Sequence, residues 1–244
     1  MGMRFSRLFL NRLDSQSSAA DTVVVIDVLR SFTTAAVALD QGALAVYPVE
    51  DPVSVKPICA RFERAVSVGA IAGGAPVTGF DYGNSPSALK QVDLSGKHVV
   101  LSTAAGVRGL HLFRRARRLF AGSMVCASAT ARAIREADAE EVCFVITGEW
   151  VDRDGDEDIA CADYIESLLR GESTAPEPFA QRVRKSDFGL RFAAGTWPDF
   201  PAADLEIASR IDLFGFAMPV LHEADELVIR RRGHRVVGCP APES

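Results

Sequence analysis

The chain has 244 residues, of which 48% are hydrophobic and 24% are charged, a balance typical of a soluble globular protein. Its formal net charge of −5 argues against a general surface for nucleic acids or other polyanions. Apolar runs stay shorter than the roughly 18 residues that a membrane-spanning helix needs, and the N-terminus lacks the apolar core of a signal peptide. We therefore expect no nucleic-acid partner and no membrane segment.

The five cysteines show no metal-like pairing such as C-x-x-C. They are Cys59, Cys126, Cys143, Cys161 and Cys239. Most stand in apolar surroundings, which predicts reduced, buried side chains and fits a cytoplasmic location. Cys126 and Cys161 stay open as alternative nucleophiles, because they follow a strand or open a helix.

Strands and helices alternate through residue 170. The run Val23–Val28 is apolar and β-branched, so it predicts a strand buried on both faces, and a helix follows at Ser31–Asp40 with Gly42 beyond its end. Further strands are predicted at 43–49, 68–71, 98–102, 119–122 and 141–147. Further helices are predicted at 53–66, 86–90, 127–137 and 158–169, with another that reaches about Arg117.

The last 70 or so residues are less regular. Residues 172–178 are rich in Pro, Ser and Thr and are the best linker candidate. Helices are predicted at 180–193 and 200–212, a strand pair at 218–222 and 226–231, and a loosely ordered tail from Gly238. The alternation predicts an α/β fold with helices on both faces of the sheet, and the late strand pair makes that sheet mixed.

Polar clusters follow several predicted strands, where ligands of open α/β sheets gather. The clusters are Asp27 with Arg30; Asp81 with Asn84 and Ser85; Ser102 and Thr103 with Gly106 and Arg108; and Thr147 with Glu157 and Asp158.

Asp27 ends the apolar strand, and Arg30 follows it three residues later. Such an acid can bind Mg²⁺, act as a general base or cap the next helix. A guanidinium group beside it favours an anion site, because it pairs with phosphate or carboxylate through two hydrogen bonds. A structural ion pair between the two side chains is the alternative.

The other clusters also have plain structural interpretations. The turn at 102–108 could present backbone N–H groups to an anion or be a tight turn only. The glycines and proline at 79–86 specify a fixed loop, but they do not account for Asp81 and Asn84. Glu157 and Asp158 open a helix, where the dipole favours acids, or they bind a metal ion.

Taken together, four motifs resemble the 2-phosphosulfolactate phosphatase family over most of the chain. They are Val-Ile-Asp-Val-Leu-Arg-Ser-Phe-Thr-Thr at 25–34, Gly-Phe-Asp-Tyr-Gly-Asn-Ser-Pro at 79–86, Ser-Thr-Ala-Ala-Gly-Val-Arg at 102–108, and Glu157-Asp158 ahead of Cys161-Ala. The first two motifs are quite specific, and the last two are looser.

The resemblance implies a single domain over residues 1–244, with three α/β/α layers and a mixed, mostly parallel sheet. It also implies a Mg²⁺-dependent phosphatase for phosphate monoesters of 2-hydroxy acids, which converts 2-phosphosulfolactate and water into sulfolactate and phosphate on the route to coenzyme M.

Roles carry over to the residues that match. The catalytic residues would be Asp27, Arg30 and Thr103; the substrate-binding residues Asp81, Asn84, Ser85, Gly106 and Arg108; and the metal ligands Asp27, Glu157 and Asp158. A homodimer is the expected assembly of such an enzyme. We expect Asp27, Arg30, Asp81, Thr103 and Glu157 to share one cleft.

Some positions depart from the family pattern. Ala104 and Ala105 stand where a hydroxyl and an amide are usual, Val107 replaces a Thr, and Ala70-Ile71-Ala72 replaces Gly-Glu-Arg. These changes would remove a metal ligand and a phosphate donor. They leave two alternatives open: a phosphatase for another small phospho-acid, such as phospholactate or phosphoglycolate, and an anion-binding homologue with weak or no activity. A purely structural module is a third.

Overall fold

The structure, a computed structural model, describes residues 2–13 and 20–233. The predicted loose tail from Gly238 lies outside them. Ten strands occur in the described part: β1 (Arg4–Phe9), β2 (Thr22–Ile26), β3 (Ala45–Pro48), β4 (Ala65–Gly69), β5 (Tyr82–Gly83), β6 (His98–Ser102), β7 (Arg118–Gly122), β8 (Glu141–Ile146), β9 (Pro219–Glu223) and β10 (Glu226–Ile229). The α-helices are α1 (Ser31–Asp40), α2 (Pro52–Cys59), α3 (Pro86–Leu89), α4 (Gly106–Leu112), α5 (Ala127–Glu136), α6 (Asp156–Arg170), α7 (Glu177–Lys185), α8 (Asp187–Ala194) and α9 (Ala202–Ala208).

The ten strands form one mixed sheet in the order β1-β8-β2-β7-β9-β10-β3-β6-β4-β5. Strands β1, β8, β2 and β7 form one parallel block. Strands β3, β6, β4 and β5 form a second. The antiparallel pair β9–β10 joins the blocks. The predicted mixed, mostly parallel sheet is therefore confirmed.

Helices cover both faces of this sheet, which confirms the three-layer α/β/α prediction. Alternate residues of β2 point to opposite faces: Val23 and Val25 join the core under α1, α3 and α4, and Val24 and Ile26 join the core under α5 to α9. All five residues of β2 are buried. A strand covered on both faces reads as an unbroken apolar run, which is why its sequence identified it.

Several segments differ from the sequence expectation. The strand predicted at 68–71 is shifted to Ala65–Gly69, the helix predicted at 200–212 covers only Ala202–Ala208, and the short strand β5 was not predicted. Three further differences follow from local features. The edge strand β1 was not predicted, because its sequence Arg-Phe-Ser-Arg-Leu-Phe is half polar. The helix predicted over 53–66 ends at Cys59, because Val66 is needed in β4. The helix predicted over 180–193 divides into α7 and α8 at Ser186, whose hydroxyl accepts a hydrogen bond from Gly189 N–H and caps α8.

The connections after β2, β6 and β8 meet at one place. Asp27 follows β2, Thr103 follows β6 and Thr147 follows β8, and hydrogen bonds join these connections directly or through α1 and α6. Of the linker candidate 172–178, residues 172–176 lie between α6 and α7, and residues 177 and 178 begin α7. In the described part of the chain, no helix is both long and apolar enough to cross a membrane.

Candidate functional site

A cavity of about 510 Å³ opens where these connections meet. Its wall is built from the β2–α1, β5–α3 and β6–α4 connections, the residues after β1, the loops after β4 and β8, and the region from α8 to α9. The wall residues used below are Asp27, Arg30, Ser31, Ile71, Gly74, Asn84, Thr103, Ala104, Ala105, Arg108, Trp150, Asp152, Arg153, Phe188, Arg191, Trp197 and Phe200.

Asp27 is held rigidly in this wall. One of its carboxylate oxygens accepts the Ser31 N–H at 2.9 Å, and the other accepts the Gly106 N–H at 3.0 Å. A Cβ atom at residue 106 would lie 2.6 Å from the Asp27 carboxylate, so only glycine permits this approach. Burial raises the pKa of Asp27, although the bonds to Ser31 and Gly106 offset part of that effect. The Asp27 side chain is therefore fixed in orientation, and its raised pKa means that it binds a proton more tightly than an exposed aspartate does.

Polar groups next to Asp27 have spare bonding capacity. The Ser31 hydroxyl donates to the Thr103 hydroxyl at 3.0 Å, which leaves the Thr103 proton free for another acceptor. Asn84 is buried, and its side-chain oxygen has no hydrogen-bond partner within the described residues. An unpaired buried amide in a cavity wall is unfavourable unless a ligand or water completes it. The Thr103 proton suits an oxygen of a phosphate, whereas the unpaired Asn84 oxygen is an acceptor and needs a donor such as a water molecule or a ligand hydroxyl.

The Arg30 side chain is held by an ion pair, two hydrogen bonds to backbone carbonyls and a contact with an aromatic ring. Its side chain is only 4% exposed, and it pairs with the fully buried Asp204 at 3.0 Å. It also donates to the carbonyl oxygens of Asp199 and Gly74 and lies about 5 Å from the Phe200 ring centroid. The structural ion pair considered from the sequence, with Asp27, is not the one formed.

Three further arginines bring positive charge to the cavity. Arg108 is exposed in the wall and makes no hydrogen bond or ion pair within the described residues. Arg153 lies 4.9 Å from the Phe188 ring centroid, with only a loose 3.9 Å approach to Asp152. Arg191 is paired with Asp152 at 2.7 Å. The least engaged of these groups, Arg108, is the best placed to pair with an incoming anion.

Asp81 and Ser85 make hydrogen bonds within the protein and do not line the cavity. Asp81 accepts hydrogen bonds from the Ser67 N–H and hydroxyl, at 2.8 and 2.7 Å, and so fixes its loop to β4. Ser85 caps α3 and donates to Asp204 at 2.8 Å. Asn84, between them, is the member of this motif that lines the cavity.

We expect Asp81→Ala to lower the stability of the protein and to have little effect on ligand binding. Removing the carboxylate leaves the Ser67 donors unpaired, so the free energy of unfolding should fall by about 1–2 kcal/mol. Urea unfolding measures this change. Ser67→Ala is the matched variant, and because both variants break the same contact, the double variant should lose less than the sum of the two. Additive losses would contradict this role.

Glu157 and Asp158 lie behind the cavity wall. Asp158 binds the connections together: it accepts the Val28 N–H at 2.8 Å and the Gly148 N–H at 2.7 Å. Glu157 is completely buried, and neither of its carboxylate oxygens has a hydrogen-bond partner within the described residues. Burial raises the pKa of Glu157 to about 7. Burial also raises the pKa of Asp158, and the neighbouring Glu157 and Asp27 add to that effect.

The three acids predicted as metal ligands do not form a common ligand set. Nowhere in residues 2–13 and 20–233 do three or more Asp, Glu, His or Cys side chains form a group able to hold a metal ion. Asp158 is engaged by backbone donors, and Glu157 lies outside the wall. Magnesium can also bind through one carboxylate, waters and substrate phosphate, and only Asp27 of the three lies in the cavity wall for that mode.

Glu157 should make stability depend on pH. Its pKa is raised from the ordinary 4.5 to about 7, so the folded chain holds a proton that the unfolded chain has released. The stability that it contributes is complete below about pH 4.5 and is lost as the pH rises through 7, by up to about 3 kcal/mol.

Urea unfolding between pH 4.5 and 8 tests this expectation. Glu157→Gln cannot lose a proton and should flatten the decline, whereas Glu172→Gln, at an exposed acid, should leave it as in the parent chain. An unchanged slope in Glu157→Gln would show that Glu157 is not held neutral.

The structure thus divides the predicted site. Asp27, Arg30, Thr103, Asn84 and Arg108 line the same cavity, and the Gly106 N–H orients Asp27 from behind. Asp81, Ser85, Glu157 and Asp158 do not line it. Of the five residues expected in one cleft, only Asp27, Arg30 and Thr103 share it.

Sequence reasoning missed one side of the cavity. Arg153, Arg191, Trp150, Trp197 and Phe188 line it but belong to no recognised motif. The one available signal was composition, because the chain's two tryptophans both stand in polar or Pro-containing segments rather than in apolar runs. Cys126 and Cys161, the alternative nucleophiles, are fully buried outside the wall, and burial raises the pKa of both thiols, so neither suits attack.

This α/β protein has one cavity whose wall combines a buried acid, hydroxyl and amide groups and several guanidinium groups, a set that suits a small, multiply charged anion. A family model described as 2-phosphosulpholactate phosphatase matches residues 9–188, and the chain belongs to that family.

Relatives support this membership. A protein of Caldicellulosiruptor saccharolyticus named "Probable 2-phosphosulfolactate phosphatase" is 36% identical over 150 residues, covering 60% of this chain and 61% of the relative. One of Carboxydothermus hydrogenoformans with the same name is 39% identical over 148 residues, covering 60% of each. These alignments span about three fifths of the relatives' length. One of Bacillus subtilis, also so named, is 27% identical over 214 residues, covering 87% and 92%.

Proposed function

We propose that this protein is a phosphatase that hydrolyses phosphate monoesters of 2-hydroxy acids. The observation that carries the proposal is the cavity in which Asp27, the Thr103 hydroxyl, the Asn84 amide and the Arg108 guanidinium come together. Family membership supports the same chemistry, and the names of the relatives make 2-phosphosulfolactate the first substrate to test.

In this mechanism, the chain supplies position and charge. Asn84 and Thr103 donate hydrogen bonds to phosphate oxygens, and Arg108 pairs with the phosphate or the substrate carboxylate. Asp27 exchanges a proton with the attacking water or with the leaving ester oxygen, a task that suits an acid whose pKa is raised by burial. Arg30, whose charge is balanced by Asp204, contributes a guanidinium group of fixed position to the cavity wall.

Magnesium is part of the proposal as the ion that would neutralise charge on the phosphate. In its ionised form Asp27 would be its protein ligand, with water and substrate oxygens completing the coordination. With the ion bound, Asp27 would hold the metal in place of exchanging a proton. A cytoplasmic location and a homodimer also stay predictions.

The test is phosphate release from 2-phosphosulfolactate, 2-phospholactate and phosphoglycolate, with Mg²⁺ and with excess EDTA. Arg108→Ala should raise KM by about tenfold, because it removes a free guanidinium group from the anion site. Arg115→Ala, at an exposed arginine outside the cavity wall, is its matched control. If the folded protein releases no phosphate from any monoester, the proposed phosphatase function is wrong. If release is undiminished in excess EDTA, the proposed requirement for magnesium is wrong.

The second candidate is an anion-binding protein with little turnover. It is favoured by one observation: Ile71, Ala104 and Ala105, where the family pattern has polar groups, line the cavity. It predicts binding of inorganic phosphate without release of phosphate from esters, so the same assay, combined with phosphate titration, separates the two.

A further inference from the structure

The cavity is larger than a three-carbon phospho-acid requires. Its volume of about 510 Å³ lies in the range of about 300–1,000 Å³ typical of pockets that enclose drug-sized ligands. The groups suited to phosphate lie around Asp27, where hydrogen bonds join Ser31, Thr103 and Gly106. The remaining wall therefore faces space that the phosphate does not occupy and that another part of the ligand can fill.

Three aromatic rings of the remaining wall contact one another in sequence, and Arg153 lies between them and a fourth ring. Trp197 meets Phe200 edge-to-face at 5.9 Å between ring centroids, and Phe200 meets Phe188 in the same way at 5.6 Å. Arg153 lies over Phe188 at 4.9 Å, and its backbone pairs with that of Trp150. We call Trp150, Phe188, Trp197 and Phe200 the aromatic wall.

The turn at 71–74 extends this apolar surface. Gly74 lies so close to Phe200 that a Cβ atom there would be 2.4 Å from the ring, and the Gly74 N–H donates to the Ile71 carbonyl oxygen at 2.9 Å. Ile71 also lines the cavity. The alanines at 104 and 105 leave space on the β6–α4 side without adding hydrogen-bonding groups.

Three of these side chains contribute little to the core. Ile71 is 51% exposed, Trp150 is 53% exposed and Trp197 is 60% exposed. Single exposed apolar residues are ordinary, but three that line one concave pocket with convergent cations indicate a binding surface. Aromatic rings stack on such surfaces with an additional favourable energy beyond burial.

We propose that the substrate of this site carries an aromatic group beside its phosphate and carboxylate, and that this group packs on the aromatic wall. The inference rests on the proposed phosphatase function and specifies its substrate class: the phosphate monoester of an aryl-substituted 2-hydroxy acid. In the reaction, water forms a new P–O bond, the P–O bond to the ester oxygen breaks, and that oxygen takes up a proton. The products are the aryl hydroxy acid and phosphate.

Turnover provides the first test. The phosphate ester of 3-phenyllactate should be hydrolysed with a kcat/KM at least about tenfold above that of 2-phospholactate and 2-phosphosulfolactate, the discrimination expected when an apolar pocket accepts a matching group. Trp197→Ala should reduce that ratio to less than about threefold. Leu112→Ala, at a 53% exposed leucine outside the cavity, should leave the ratio unchanged.

Fluorescence provides a test that does not depend on turnover. Trp150 and Trp197 are the two tryptophans of the chain, so its tryptophan emission reports only on this cavity. In the presence of inorganic phosphate, 3-phenyllactate should change the emission with a Kd at least about tenfold below that of lactate. Trp150→Phe and Trp197→Phe show which ring responds, and their thermal unfolding shows whether they are folded.

The outcomes separate the two proposals. The aromatic substrate is wrong if small phospho-acids release phosphate as well as the phenyl ester does and if phenyllactate binds no more tightly than lactate. That result is still consistent with the phosphatase function. Tighter binding of phenyllactate with no hydrolysis of any ester overturns the phosphatase and supports the aromatic ligand. If a second copy of the chain covers the wall instead, ultracentrifugation shows a dimer whose tryptophans do not respond to phenyllactate, and the inference fails.

Discussion

Asp27→Asn is expected to lower kcat/KM for every phosphate ester by about 10²- to 10⁴-fold, the range of a lost proton-transfer group. Asp27 is the one buried acid of the cavity wall within the described residues; the other acid of the wall, Asp152, is exposed and paired with Arg191. The amide keeps the size of the carboxylate but removes its charge and its capacity to exchange a proton. Steady-state phosphate release measures the loss.

The same substitution has a structural effect that must be separated from catalysis. Both Asp27 oxygens accept backbone N–H groups, so the amide nitrogen of Asn would face one of these donors. The free energy of unfolding should fall by about 1–3 kcal/mol. Asp93→Asn is the matched control, because Asp93 also accepts a backbone N–H, from Ser95, but does not line the cavity. If Asp27→Asn is stable and fully active, Asp27 moves no proton.

The part of the site that could be predicted from the sequence is the part that lies at the ends of strands. Asp27 and Thr103 were found because each follows an apolar strand, and parallel strands bring their carboxyl ends together. The hydrogen bond from Gly106 N–H to Asp27 spans 79 positions, yet its two ends stood in two separately identified motifs. Local patterns were therefore sufficient wherever both partners lay at strand ends.

The other side of the cavity could not be read in this way. Trp150 and Arg153 belong to a loop, and Phe188 and Trp197 belong to the region around α8, where no strand fixes the position of the side chains. The sequence also grouped Asp81 and Asn84 in one motif, although Asp81 holds the loop to β4 and Asn84 faces the cavity. Short motifs show which residues act together, but they do not show which of them touch a ligand.

Asp204 is the residue whose importance was hardest to see. It stands 174 positions from Arg30. A signal was nevertheless present, because Asp204 shares one face of α9 with Ile207 and Ala208, three and four residues later, and both are buried. A single acid on the apolar face of a short helix predicts a buried partner of opposite charge.

Asp204→Ala should lower the free energy of unfolding by about 3–5 kcal/mol, the cost of removing one partner of a buried ion pair. Asp204 is fully buried and holds three elements together: it accepts from Arg30 before α1, and from Ser85 and Ser87 at the start of α3, while itself belonging to α9. Without it, the Arg30 guanidinium keeps its charge in a site that is 4% exposed. Urea unfolding gives the size of the loss.

Glu136→Ala is the control for this variant, because it removes the acid of an exposed ion pair with Arg232 and should cost less than about 1 kcal/mol. Asp204→Asn keeps the shape and some of the hydrogen bonds, so it should fall between the two. Asp204→Ala should also weaken phosphate binding, since Arg30 then loses the partner that fixes it in the cavity wall. A variant that binds phosphate as the parent does, with unchanged stability, would show that Arg30 is positioned without Asp204.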